Sequence, residues 1–194
     1  KLKYLFIDYE KKNYISIKSE ISKRNKIFKF QFNNIIDHLI FPSESFAKYF
    51  LSHEKINNPF SIINHGIKLP TKNINKKSVE DEFIKILYTG GIRKEKGWDI
   101  IQSVFKRIFD EGVKNIKLRV YGDKQQAAKS ILKKYEFVDF FENYTPDELS
   151  SVFSWADIAI APTYFETFCR VVREYITYEV VPIATPAFGI TEII

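Results

Sequence analysis

Methionine is absent from the 194 residues, and cysteine occurs once, at Cys169. One cysteine cannot close an internal disulfide. The three histidines, His38, His53 and His65, stand far from it and from one another, so no paired Cys/His metal spacing arises. A lone free thiol agrees with a reducing, cytoplasmic setting. No apolar run approaches the ~20 residues of a membrane span, and no secretory signal pattern opens the chain. No compact basic run with interleaved aromatics marks a nucleic-acid surface. The Gly-Lys-Ser/Thr of a P-loop and the spaced glycines of a dinucleotide fingerprint are both missing. No metal, no resident cofactor and no nucleic-acid partner are expected. Because Lys1 stands first and the text stops after Ile193 and Ile194, the sequence is expected to be part of a longer gene product, ending inside a domain.

Apolar residues make up 45% of the chain, 18 Phe among them, which is enough for a packed core. The net charge of +6 is uneven. Residues 1–80 hold 15 Lys/Arg against 7 Asp/Glu, and residues 81–194 hold 15 against 17. A basic N-terminal part suits an anionic lipid surface or a phosphorylated acceptor, so a peripheral membrane contact is an expectation. A base composition that favours lysine and asparagine codons explains the same excess without any partner.

The first 35 or so residues lack a clear period. "NNIIDHLIF" (33–41) reads as a buried strand that takes His38 into a core. Ser43 reads as the N-cap of a helix through Leu51, with His53 at its end capping carbonyls, and "FSIIN" (60–64) as a second strand. The polar stretch from His65, "HGIKLPTKNINKKS", reads as a linker. The expected organisation is an N-terminal remnant over 1–66, a linker over 67–82 and a ligand-binding domain over 83–194.

Strands are then predicted over 83–89, 116–122, 136–141, 157–162 and 180–185. Helices are predicted over 98–112, 125–135 and 169–178, with a further one begun by a capping box from Thr145 to Glu148. This alternation implies an α/β fold with a doubly wound parallel sheet. Such sheets bind ligands beyond the carboxyl ends of their strands, here at 90–97, 122–124, 162–169 and 185–192.

Two motifs occupy those positions. In "YTGGIRKEKGWD" (88–99), Gly90 and Gly91 permit a tight turn and close backbone approach, with Gly97 closing the loop. Arg93, Lys94 and Lys96 offer cations beside a helix start, a setting for phosphate. A solvated basic turn is the plainer alternative. In "APTYFETFCRVVREYITYEVVPIATPAFGITEI" (161–193), Glu166 lies in a loop after a strand and Glu174 one turn into the next helix. Backbone N–H groups at Phe168, Cys169, Arg170 and Val171 suit phosphate oxygens, and carboxylates suit sugar hydroxyls. Alternatively, Glu166 is a helix-start acid and Glu174 pairs with Arg170.

Taken in order, "IINHGI", "GGIRKEKG", "PTYFETFCRVVRE" and "TPAFGITEI", which ends in Glu192, resemble the glycosyltransferase group 1 family (glycosyltransferase family 4). The likeness runs over roughly residues 35–194. It implies a Rossmann-like, C-terminal half of a two-domain GT-B fold plus a piece of the N-terminal half. It also implies a hexosyltransferase-like enzyme that moves a sugar from a UDP-, GDP- or similar nucleotide-diphosphate donor to an acceptor hydroxyl. Retention of anomeric configuration is a further implication of the resemblance. The resemblance makes Lys96 a diphosphate ligand, Glu174 a ribose ligand and Glu166 the acid at the transferred sugar. Arg93 stands two places after Gly91, where the family's arginine follows its first glycine. Cys169 replaces a glycine, Glu179 replaces another, and Pro182 falls one residue late. No Asp-x-Asp motif of metal-dependent transferases is present. The acceptor is a carbohydrate, lipid or protein. With most of the acceptor side lacking, little transfer is expected from the chain alone. An inactive or truncated nucleotide-sugar-binding module is the alternative reading, and a GT-B phosphorylase a further one.

Overall fold

The computed structural model describes residues 35–70, 82–122 and 134–194. The described residues fall into two compact units, one of residues 35–40 and 48–61, the other of residues 41–47, 62–70, 82–122 and 134–194.

In the smaller unit the strand expected over 33–41 is much reduced. Strand β1 is Leu39–Phe41, and it pairs with β2, Phe60–Ile62. The carbonyl of Ile36 is taken by the Asn58 side-chain amide at 2.5 Å, so the backbone there leaves the ladder. His38 is exposed and hydrogen-bonded to Ser61 at 2.9 Å, not buried in a core as its strand pattern suggested. His53 stacks on the Tyr49 ring with centroids 5.4 Å apart.

The larger unit is built on five parallel strands in the order β5-β4-β3-β6-β7. They are β3 (Ile84–Tyr88), β4 (Ile116–Tyr121), β5 (Val138–Phe141), β6 (Ile158–Ala161) and β7 (Val181–Ala184). Leu87, Ala159 and Ala161 on one face and Tyr88, Leu118, Val120 and Val138 on the other let helices cover both sides of the sheet. Helix α2, Trp98–Asp110, buries Trp98, Ile101, Phe105 and Ile108, a single stripe at helical spacing. That stripe meets Leu118, Val120 and Val138 on one sheet face. On the other face α3 (Leu149–Ser154) and α4 (Arg170–Thr177) bury Val152, Phe153, Val172 and Tyr175 against Leu87, Ala159 and Ala161. The result is the expected doubly wound α/β sheet. The helix predicted over 125–135 falls almost wholly outside the described residues.

The capping box acts differently from its prediction. Glu148 accepts from both the amide and the hydroxyl of Thr145 at 2.8 Å, but these four residues close a turn, and α3 begins only at Leu149. Pro146 at the second place of that turn suits it as well as a helix start.

Helix α1, Glu44–Glu54, starts where Ser43 predicted and runs three residues past Leu51. The Ser43 hydroxyl accepts from Phe46 N–H at 3.3 Å, the geometry of an N-cap, and donates to the Thr167 carbonyl at 2.6 Å. Glu192 completes the cap by accepting from the backbone N–H groups of Glu44 and Ser45, at 3.1 and 2.6 Å.

Strand order fixes where a ligand can enter. The chain runs outward from β3 through β4 to β5, then returns to lay β6 on the other side of β3, with Ile86 beside Ile158 and Leu87 beside Ala159. The loops after β3 and β6 therefore depart in opposite senses and leave a crevice between them.

Candidate functional site

The loop after β3 is shaped from beneath by Tyr88. Its fully buried ring carries a hydroxyl that donates to the Gly91 carbonyl at 2.7 Å and lies 3.1 Å from that of Lys96. Both ends of the glycine loop are thus tied to one side chain. Burial holds the Tyr88 phenol protonated, its pKa well above the ordinary tyrosine range. Gly90 passes so close above this ring that a Cβ would stand 2.8 Å from it. The loop ends in a single 3₁₀ turn, Lys94–Lys96, and Gly97 at φ 74° leads into α2.

The loop after β6 is bound to that turn. Tyr164 N–H donates to the Glu95 carbonyl at 3.0 Å. The buried Thr163 hydroxyl lies 2.9 Å from the carbonyls of Glu95 and Phe165, and its one proton serves both. Tyr164 also donates its phenol to Asp99 at 2.9 Å. These bonds set the second loop against the first, and Lys96 Nζ meets Glu166 Oε2 at 2.5 Å. Both side chains are about four-fifths buried, at 23% and 19% exposure.

A cleft of about 300 Å³ opens around this pair, with Gly90, Phe168, Cys169, Arg170 and Val171 in its walls. The start of α4 and Lys96 thus line the same cleft. Cys169 precedes the helix in the left-handed region, at φ 60° and ψ 67°, a conformation that a glycine adopts without strain. Burial first, then the Glu166 carboxylate, pushes its thiol up to about 12. His65 meets the ring of Phe168 edge-on at 5.4 Å and also reaches the cleft wall.

Arg93 and Gly91 lie elsewhere. They line a neighbouring cleft of about 560 Å³ with Tyr121, Asn143 and Tyr144, and Thr89 and Gly90 form the ridge shared by the two clefts. Arg93 pairs with Glu95 at 3.4 Å. Glu174 lies 3.6 Å from Arg170, with its side chain only 12% exposed. Burial raises its pKa, and Arg170 opposes that rise. Among the described residues no group of three His, Cys, Asp or Glu could hold a metal ion, and no helix is long and apolar enough to cross a membrane.

Tyr88 and Thr163 escaped the sequence reading. Each closes or follows a predicted strand, where an aromatic or a β-branched residue passes for core. The only signal was position, two residues before Gly90 for one and directly after Pro162 for the other.

Solved structures share this architecture. A sucrose-phosphate synthase from Thermosynechococcus elongatus superposes with a TM-score of 0.69 at 17% identity, covering 88% of this chain and 46% of its own. WaaG, a glycosyltransferase involved in lipopolysaccharide biosynthesis, gives 0.70 at 19%, covering 95% and 54%. The pneumococcal O-GlcNAc transferase GtfA, solved with UDP and GlcNAc, gives 0.62 at 13%, covering 84% and 33%. The chain thus spans about half or less of the length of these proteins. At such identities the likeness is one of fold, the GT-B glycosyltransferase fold. No curated protein matches the chain. The family described as glycosyl transferases group 1 matches residues 70–194, from before β3 to the last residue, and the chain belongs to that family.

Proposed function

We propose that the chain is the donor-binding half of a retaining glycosyltransferase, of the family 4 type, which transfers a hexose from a nucleoside diphosphate sugar to an acceptor hydroxyl. The observation that carries this reading is the meeting of Lys96 and Glu166 at the sheet's switch point, in front of the start of α4. A cation and backbone N–H groups suit a diphosphate. A carboxylate beside them suits the hydroxyls of the attached sugar. As the bond from the anomeric carbon to the β-phosphate oxygen breaks, its electron pair passes to that oxygen. Lys96 and the N–H groups at 168–171 stabilise the growing charge. Glu166 faces the carbon where positive charge develops. Glu174 takes the ribose, and Arg93 meets the nucleotide from the neighbouring cleft. These groups need no metal or cofactor for their part. The acceptor is a carbohydrate, lipid or protein, and the positive balance of residues 1–80 suits an anionic acceptor or a membrane surface on the cytoplasmic side.

Binding without turnover is the second reading. The pairing of Arg93 with Glu95, away from Lys96, favours it. Donor hydrolysis separates the two. The primary test is thermal stabilisation by UDP-, GDP- and ADP-sugars, repeated with Lys96→Ala. Loss of one charged hydrogen bond should cost nucleoside diphosphates ~1.5–3 kcal/mol of affinity and the free nucleosides far less. An equal loss for nucleotide and nucleoside would refute the phosphate assignment.

A further inference from the structure

We infer that Glu166 discriminates between the intact donor and the spent nucleoside diphosphate, by competing with the terminal phosphate for Lys96. The inference rests on the diphosphate reading of the Lys96 cleft. Lys96 is not a waiting cation. Its ammonium is held by Glu166 Oε2 at 2.5 Å, in a wall where both side chains are largely buried. A phosphate that takes Lys96 either displaces this carboxylate or shares the three-donor ammonium with it, and in both cases brings its own negative oxygens beside the carboxylate.

The carboxylate cannot simply withdraw. Glu166 Oε1 lies 3.4 Å from the backbone N–H of Thr167. The Thr167 carbonyl is in turn fixed by the Ser43 hydroxyl at 2.6 Å. Thr163 holds the carbonyl of Phe165, on the other side. The backbone that carries Glu166 is therefore pinned on both flanks, which keeps the carboxylate within side-chain reach of the Lys96 cleft.

The two ligands meet this fixed charge differently. A nucleoside diphosphate sugar has an esterified β-phosphate, with one less ionisable oxygen, and sugar hydroxyls that donate to Glu166 when Lys96 leaves it. The carboxylate exchanges one charged partner for another hydrogen-bond donor. A bare nucleoside diphosphate offers a doubly ionisable terminal phosphate and no hydroxyl at that place. Glu166 then loses Lys96, gains nothing, and repels the phosphate across a poorly solvated gap. After transfer the site is left with this second ligand. Re-formation of the Lys96–Glu166 pair drives it out.

The test titrates the chain with UDP, GDP and ADP and with their glucose conjugates, using the unaltered protein, Lys96→Ala, Glu166→Gln and Glu166→Ala. All four are first compared by thermal melt. Removal of the Glu166 charge should tighten the nucleoside diphosphate that binds by about tenfold, or about 1.4 kcal/mol. Its sugar conjugate should change by less than about threefold, about 0.65 kcal/mol. Lys96→Ala should weaken both. If Lys96→Ala weakens binding but neither Glu166 variant tightens the bare diphosphate, the competition is wrong and the diphosphate site stands. If Lys96→Ala weakens neither ligand, or no nucleotide binds at all, the diphosphate site and the competition fall together. If both ligands tighten equally, Glu166 repels phosphate without discriminating, and the inference is overturned.

Discussion

Gly97 runs directly under the carbonyl of Pro162, so that a Cβ at Gly97 would stand 2.0 Å from that oxygen. The contact joins the end of the Lys96 loop to the start of the Glu166 loop. Gly97 also has φ 74°, where an alanine is strained even without the clash. Neither backbone can yield alone, since Tyr164 N–H and the Thr163 hydroxyl bind Glu95 on the same seam. Gly97→Ala should destabilise the protein by ~2–4 kcal/mol. Chemical denaturation measures the loss, and a change under ~1 kcal/mol would show the seam to be loose.

Thr163 tests the seam without touching a glycine. Its buried hydroxyl serves the carbonyls of Glu95 and Phe165, and valine has the same shape without the proton. Thr163→Val takes a donor from the Phe165 carbonyl and leaves the Glu95 carbonyl with Tyr164 N–H alone, and should cost ~1–3 kcal/mol. Thr163→Ser keeps the donor and should recover most of that. If the hydroxyl also positions the Lys96–Glu166 pair, Thr163→Val weakens nucleoside diphosphate binding in the fraction that remains folded, and Thr163→Ser restores it. Equal behaviour of the two variants in both measurements would remove Thr163 from the site.

The sheet was legible because parallel strands flanked by helices need apolar residues on both faces, and "ILY", "LRVY" and "IAIA" stand at the right intervals. The site was legible in outline for a related reason. Glycines, cations and acids placed just after strands have few structural uses. What the sequence could not convey were contacts between loops. Lys96 and Glu166 stand 70 residues apart and meet only because β6 returns beside β3. Arg93, three residues before Lys96, lines another cleft because it stands ahead of the 3₁₀ turn in extended backbone, at φ −143° and ψ 144°, and does not share the turn's geometry. His38 failed for the opposite reason. The apolar text around it suggested a long strand, and one Asn58 side chain replaced the ladder.

Cys169 should resist alkylation while the chain is folded. Its thiol is buried and its pKa is pushed up to about 12, so near pH 8 almost no thiolate forms. Labelling should follow global unfolding in a denaturant series. The sign of the pH effect follows from the same shift. The folded state keeps a proton that the unfolded thiol releases near ~8.5, so stability is full below that value and declines as pH rises towards the folded one. Burial raises the phenols of Tyr144 and Tyr175 too, and they add to the alkaline loss above pH ~10. Rapid labelling of the native protein at pH 8 would contradict the burial.

Glu174 and Glu166 should respond differently to neutralisation. Burial raises the Glu174 pKa, so the folded state favours its protonated form. The stability linked to this group is therefore full below its unfolded value of ~4.3 and is lost as pH rises through the folded one. At pH 7 the buried charge is therefore a burden on the fold, and Glu174→Gln should raise Tm by ~2–4 °C. The gain should vanish near pH 4. If Glu174 holds the ribose, the same variant raises KM more than it lowers turnover. If Glu166 faces the developing charge at the anomeric carbon, as proposed, that interaction is stronger in the transition state than in the bound donor. Where donor turnover is measurable, Glu166→Gln should cut it by ~10–1000-fold, or ~1.4–4 kcal/mol, with donor affinity nearly unchanged. Thermal melts and steady-state kinetics on both variants decide the assignment. A lowered Tm with intact turnover per folded molecule in both would make them helix acids and nothing more. Intact turnover in well-folded Glu166→Gln alone would remove Glu166 from the reacting sugar.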